Sequence, residues 1–409
     1  MPSIALPVSL RGQLLSGSRF SPLSLFTTSE PGFWYDPSDL TTMFQDAVGT
    51  NPVTAPGQSV ALLLDKAKGL TRGSELVVNG DFSGGTANWT AISGAGLSIV
   101  SGSLRVSYSA GAAYPAAVQT VSGLVSGRSY ELTIVANTGS GTHPVGLNCG
   151  QFSPTVNFTT NTSLTTTTFR AIAVATSTSS YVQIFVVTNS ASSSGFINIV
   201  SFSMKELAGS HATQATAASC PTYQVDGNGK AHLSFDGVDD FLVTSTITPG
   251  VDKVQVFAGI RKLSDANRGS VVESGLGTGP DTGYFHVEAP RTGGVGHYAF
   301  RSFGASLGTF SDAFASPYNA PITNVVTGIG DVAADTSNIR VNGVVGTPGA
   351  ADQGIGNYLA NAIYIGRRAG TSLPFNGNLY SLIVRFGSNL TTETITSAET
   401  FVNGKTGAY

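Results

Sequence analysis

Between His232 and Thr244 the chain reads HLSFDGVDDFLVT, and this stretch narrows the choice of fold more than any other. Leu233 and Phe235 alternate with polar neighbours, the period of a strand that buries one face. Asp236-Gly237 supplies a tight turn, because glycine takes a positive φ without a Cβ penalty. Phe241, Leu242 and Val243 then resume an extended apolar run. Just upstream, Asp226–Lys230 (DGNGK) makes another turn, so two strand-turn units follow in close succession. Downstream, Asn338–Gly346 (NIRVNGVVG) reads as a strand, an Asn-Gly turn and a returning strand. Ala362–Arg367 (AIYIGR) follows. In Phe375–Phe386 (FNGNLYSLIVRF), Tyr380, Leu382, Val384 and Phe386 are expected on one strand face. From Thr391 to Asn403 the spacing turns helical through Ile395, Ala398, Phe401 and Val402. Glu393 sits in the first turn and Gly404 just past the expected end.

Composition agrees with a strand-and-turn protein. The chain has 409 residues, enough for two or three domains. Only 11% of them are charged and 50 are glycine, with no long helix-forming stretch, which points to an all-β protein. A net charge of -3 offers no basic footprint for nucleic acid. No apolar run approaches the ~20 residues needed to cross a bilayer, so no membrane insertion is expected. The start, MPSIALPVSLRGQLL, lacks a basic leader region and carries Pro7, which argues against a cleaved secretion signal. Two cysteines, Cys149 and Cys220, make neither a disulfide framework nor a zinc site.

The motifs of residues 220–409 resemble a concanavalin A/laminin-G-like lectin sandwich. Its "F-D-G-x-D-D-[YF]" opening, "V-N-G" hairpin, closing strand and terminal helix all have counterparts here. Upstream, Pro31–Leu40 (PGFWYDPSDL) resembles the "W-Y-D-P-S-D" segment that precedes such domains in minor virion proteins of tailed bacteriophages. In that family a "D-K-S-G-x-G-N-H-A-T-Q" run leads directly into the sandwich. Here it is split: Leu64-Asp65-Lys66 stands at one end and Gly209–Gln214 (GSHATQ) at the other. Residues 70–207 between them read as an inserted domain, since insertions succeed in exposed loops whose ends lie close together. The insert opens with Glu75–Phe82 (ELVVNGDF) and Asn88-Trp89 and closes with Phe196–Leu207 (FINIVSFSMKEL). This pair resembles the first and last strands of galactose-binding-like jelly rolls used as carbohydrate-binding modules. Tyr130–Ala136, Phe169–Val174 and Tyr181–Val187 are expected strands between them. The expected fold is therefore all-β: two antiparallel β-sandwich (jelly-roll) domains, one inserted in the N-terminal linker of the other, and a short C-terminal helix. The parts are a docking arm (1–30), a linker segment (31–69), the insert (70–207) and the C-terminal sandwich (208–409).

A sugar site needs an aromatic platform and a few fixed hydrogen-bonding groups, because a pyranose has an apolar face and a hydroxyl rim. Trp89 reads as core or platform; Tyr108, Tyr114 and Tyr181 are better platform candidates. In the C-terminal sandwich, Tyr284, His286, Arg291, His297, Tyr298 and Arg301 crowd a Gly-rich run, where alternate strand members would share a solvent face. The resemblances also imply calcium. Asp236, Asp239 and Asp240 form either a cation site or a solvated turn, and Asp81 with Asn198 matches the insert family's structural calcium position, with Asn198 where that family has Asp.

No catalytic residue is expected: the chain has no E-x-D-x-x-E strand, no H-E-x-x-H and no phosphate-binding loop. The resemblances imply a virion protein of a tail, fibre or capsid surface, assembled in the host cytoplasm. It would bind host surface polysaccharide through its sandwiches and other virion proteins through the arm, as a homo-oligomer and by preference a trimer. An architectural protein without sugar binding, or a secreted lectin, are the alternatives. The arm, Met1–Phe26, carries ten large apolar side chains and three prolines, so it is expected to bury them on a partner, the alternative being that it folds back on its own sandwich.

Overall fold

The computed structural model describes residues 20–27, 29–140, 143–159, 165–275, 282–306 and 308–409. They form an all-β protein of four antiparallel sheets with one C-terminal helix. Two sheets, of eight and nine strands, are built from residues outside 72–207 and enclose one core that includes Phe33, Leu233, Phe235, Val256, Phe285, Phe300 and Leu382. The other two, of five and seven strands, come entirely from within 72–207 and enclose a second core around Trp89, Leu132, Ile134, Ile184 and Phe202.

The Asp236-Gly237 bend does more than return the chain. The strand Ala231–Asp236 pairs with Asn376–Phe386 in the eight-stranded sheet. Leu242–Thr244 pairs instead with Tyr364–Ile365 and Ala212–Thr213 in the nine-stranded sheet. The bend is therefore the corner of the sandwich, and Leu233, Phe235 and Leu242 meet in the core it encloses. At the second expected turn, Thr336–Val341 does fold back on Val344–Val345. Asn342 (φ 51°) and Gly343 (φ 78°) take the paired positive φ values that a two-residue hairpin turn demands.

Two local expectations are corrected. Tyr380 does not share a face with Leu382, Val384 and Phe386. A bulge opposite Gly259–Ile260 inserts it as an extra residue, so it turns away from the core to His232 and donates a 3.2 Å hydrogen bond to Asp226. The helix runs Thr392–Thr406, through Gly404, and is capped by Thr391, which accepts from the Thr394 amide.

The helix also resolves part of the arm. Phe20, Leu25 and Phe26 fold back into the cluster formed by Trp34, Phe257, Ala398 and Val402. Arg385 holds this segment, donating to the Leu25 carbonyl at 2.7 Å and pairing with Glu30. This end of the arm is thus buried on its own sandwich; residues 1–19 lie outside the described residues.

The insert leaves and re-enters through a tight neck. Leu62–Leu63 pairs with Ala212–Thr213, and the Asp65 amide donates to His211 Nδ1 at 2.9 Å. The Asp65 carboxylate accepts amide hydrogens from Trp34, Ala67 and Ser210 at 2.7–2.8 Å. Burial nevertheless holds its pKa up at about 6. Beside the neck, Ile172 of the insert packs on Phe44, Leu62 and Leu64, and its amide donates to the Val48 carbonyl at 2.6 Å.

Candidate functional site

In the insert's five-stranded sheet the order is Val156–Thr159, Val145–Cys149, Ser179–Val186, Ala116–Ser122, Thr90–Ile92. The strand Ser179–Val186 (SSYVQIFV) divides its side chains by alternation. Val182, Ile184 and Val186 enter the core, which leaves Tyr181, Gln183 and Phe185 on the outer face. By the same rule Asn148 lies outside between buried Leu147 and Cys149, and Asn157 beside buried Val156.

Register then assembles these residues. Gln183 pairs with Asn148, and Asn148 with Asn157, so three amide side chains stand in a row across adjacent strands. None of the three forms a side-chain hydrogen bond among the described residues. Tyr181, 47% exposed, stands on one side of the row. On the other, Phe185 lies over Gly146, where an added Cβ would meet the ring at 2.4 Å. Tyr114, 46% exposed, packs edge-on to Phe185 at 6.0 Å. The result is a polar lane between two aromatic walls roughly 13 Å apart, counting Tyr181 to Phe185 along the strand at ~3.3 Å per residue. Of the expected platforms, Tyr114 and Tyr181 lie here. Tyr108 does not: it points inward with Leu104 and Val106 and is core. Trp89 is core too, its indole N–H donating to the Asn79 carbonyl at 3.1 Å.

The cluster expected on the C-terminal sandwich is split between two faces. Tyr298 and Arg301 have opposite parity on Tyr298–Phe303, so Tyr298 enters the core and donates to Asn324 at 2.8 Å. On the outer face Glu273, His286, Arg301 and Asp312 line up in register on four adjacent strands. They are consumed by one another. Arg301 holds Asp312 through two bonds of 2.6 and 2.7 Å, and Arg291 reaches Glu288 at 2.9 Å and Asp312 at 3.4 Å. Arg268 also pairs with Glu288, and Arg368 with Glu273 at 3.5 Å. His286 Nε2 lies 2.9 Å from Ser270 Oγ. Burial, reinforced by Arg268, Arg368, Arg301 and Arg291, pushes the His286 pKa well down, so the ring is neutral. Burial raises that of Glu288 despite its arginines. The expected shared solvent face is therefore corrected: Tyr284, His286 and Tyr298 are almost wholly buried, Arg291 and Arg301 are spent in ion pairs, and half-buried His297 packs on Phe314. The string Gly304–Gly308 spells G-x-S-x-G but links two strands rather than opening a helix, and residue 307 lies outside the described residues.

Asp236, Asp239 and Asp240 do converge, with one ligand atom from each lying within 4.8 Å of the others. Burial, aided by the two neighbouring carboxylates, raises the Asp240 pKa to about 7. The chemistry fits a hard cation, which would relieve that repulsion. Asp81 and Asn198 are not brought together. Asp81 sits beside Phe202 and accepts from Ser83, whereas Asn198 lies four residues earlier, roughly 13 Å along the strand. Asn198 accepts from Arg105 at 3.2 Å, and that positive charge opposes a cation.

No protein-family model and no curated protein matches the chain. Solved structures match it in part. The CBM40 domain of the Ruminococcus gnavus IT-sialidase, bound to α2,3-sialyllactose, shares 17% identity over 37% of this chain and 84% of its own, with a TM-score of 0.29. The binding domain of botulinum neurotoxin serotype D shares 13% over 46% of this chain and 47% of its own, with a TM-score of 0.32. A NanB sialidase from Streptococcus pneumoniae shares 13% over 36% and 23%, with a TM-score of 0.29. Similarity at this level assigns neither a family nor a ligand.

Proposed function

We propose that the protein is a glycan-binding adhesion protein whose insert carries the binding face. The observation that carries this reading is the row Asn157–Asn148–Gln183, whose side chains form no hydrogen bond among the described residues, flanked by exposed Tyr181 and by Tyr114. Amides both donate and accept, as a hydroxyl rim requires, and the tyrosines offer apolar faces for the rings. The role is binding rather than hydrolysis: Glu273 and Glu288 are buried and held by arginines, so neither is free to face a glycosidic bond. The Trp34-Tyr35-Asp36-Pro37 segment and the split linker support placement on a tailed-phage virion. The apolar residues 1–19 would attach it to other virion proteins or to further copies.

A glycan array probed with the clustered full chain tests the adhesion role. Binding should appear and should weaken in a Tyr114→Ala/Tyr181→Ala variant. Absence of binding to any bacterial surface polysaccharide leaves an architectural protein. For the virion role, antibodies against the chain should label purified phage particles.

A further inference from the structure

Residues 70–207 contain nine Lys, Arg, Asp and Glu residues. Seven stand on the seven-stranded sheet, within Arg72–Glu75, Ser103–Tyr108, Ser129–Ser140, Thr167–Ala175 and Gly195–Leu207. There they largely neutralise one another, as Arg72 and Arg170 do with Glu131, and Lys205 with Glu75. The remaining two, Asp81 and Arg128, are in loops. The five strands of the other sheet carry no charge at all. A face selective for sialic or uronic acids would set an arginine or a lysine against the carboxylate. The outer face of this sheet presents instead Asn, Gln, Thr, Tyr, Phe185 and small apolar groups.

Direction follows from register. Asn157, Asn148 and Gln183 succeed one another across strands, so neighbouring amides are ~4.8 Å apart. That step is close to the length of one sugar ring in an extended chain. Next in the row come Val118 and Thr90, and among the described residues both ends of the row, Asn157 and Thr90, are exposed. The walls, Tyr181 on one side and Phe185 with Tyr114 on the other, run beside the row rather than across it.

From the charge-free sheet and this open-ended row we infer that the insert binds an internal stretch of an uncharged polysaccharide, its chain crossing the strands. Acidic glycans and single terminal sugars are not its ligands. This rests on the glycan-binding reading above and narrows it to one chemical class.

The test is affinity electrophoresis of the full chain in gels containing neutral polysaccharides (a mixed-linkage β-glucan, a mannan, a dextran, neutral bacterial surface polysaccharides) or acidic ones (alginate, polysialic acid). Retention is expected on a neutral polymer and not on the acidic ones. It should be unchanged between about 0.1 and 1 M salt, over which screening of charges tightens from ~10 to ~3 Å. A Gln183→Ala/Asn148→Ala variant with unaltered melting should bind about tenfold more weakly, from two lost hydrogen bonds. Retention on acidic polymers that this variant loses, or retention that salt abolishes, overturns the ligand class while leaving the binding face in place. Neutral-polymer retention that survives the double variant places the site elsewhere. No retention on any polymer overturns the glycan-binding reading itself.

Discussion

The outer faces of the five-stranded sheet of the insert and of the nine-stranded sheet of the C-terminal sandwich are both rich in polar side chains. On the insert, the Gln183, Asn148 and Asn157 side chains form no hydrogen bond among the described residues. On the C-terminal sandwich, Glu273, His286, Glu288, Arg301 and Asp312 have each other, with Arg268, Arg291 and Arg368 closing the network. The second face looks the richer binding surface in the sequence, because Arg, His and Tyr are the residue types that recognise ligands. It is closed because those groups are complementary: a carboxylate beside a guanidinium is satisfied internally and then buried. Amides and tyrosines in a charge-free sheet find no such partner and stay open. Availability rather than residue type separates the two.

The largest effect that would test this contrast comes from breaking the closed face. Glu288→Ala leaves Arg268 and Arg291 without their buried partner and should cost about 3–5 kcal/mol in urea denaturation. Polysaccharide retention should be untouched. A loss below about 1 kcal/mol would show a face as solvated as that of the insert. Asp240 comes next. Its pKa is held up to about 7 in the folded chain against an ordinary 3.8, so the stability of its protonated form is complete below pH 4 and lost as pH rises through 7. Asp240→Asn should flatten that fall in a melting-temperature profile. Calcium should restore the loss in the parent chain at pH 8; an unchanged melting temperature rejects the cation site. Tyr181→Ala should weaken polysaccharide binding by about 1 kcal/mol without altering stability, read by affinity electrophoresis and thermal melting in parallel. The smallest effect is Thr120→Asp, a new charge beside Tyr181 on the open face. Unfolding free energy should shift by no more than about 0.5 kcal/mol. A drop above about 2 kcal/mol would show that this face is an interior surface.

Much of the scaffold is legible locally. Alternation marks Leu233 and Phe235 as core, Asn342-Gly343 folds its hairpin, and Thr391 starts the helix, because period and turn chemistry act within a few residues. Even SSYVQIFV separates Tyr181, Gln183 and Phe185 from the core by parity alone. The extra residue at Tyr380 is not legible, since a bulge exists only relative to the strand opposite. Nor is the second role of Asp236-Gly237, because whether a turn makes a hairpin or a sandwich corner depends on which strands wait on either side.

What the sequence determined by itself is an all-β chain, its turns and most of its buried residues, all set by neighbours a few positions apart. Only the tertiary structure decided which polar groups meet. It set Asn157, Asn148 and Gln183 in one row through pairings that span up to 35 residues. It also closed the His286 face with Arg268, Arg291 and Arg368, which arrive from separate loops. Burial and hydrogen-bond satisfaction depend on long-range strand order, and that order is set by the packing of whole sheets rather than by any stretch of the chain.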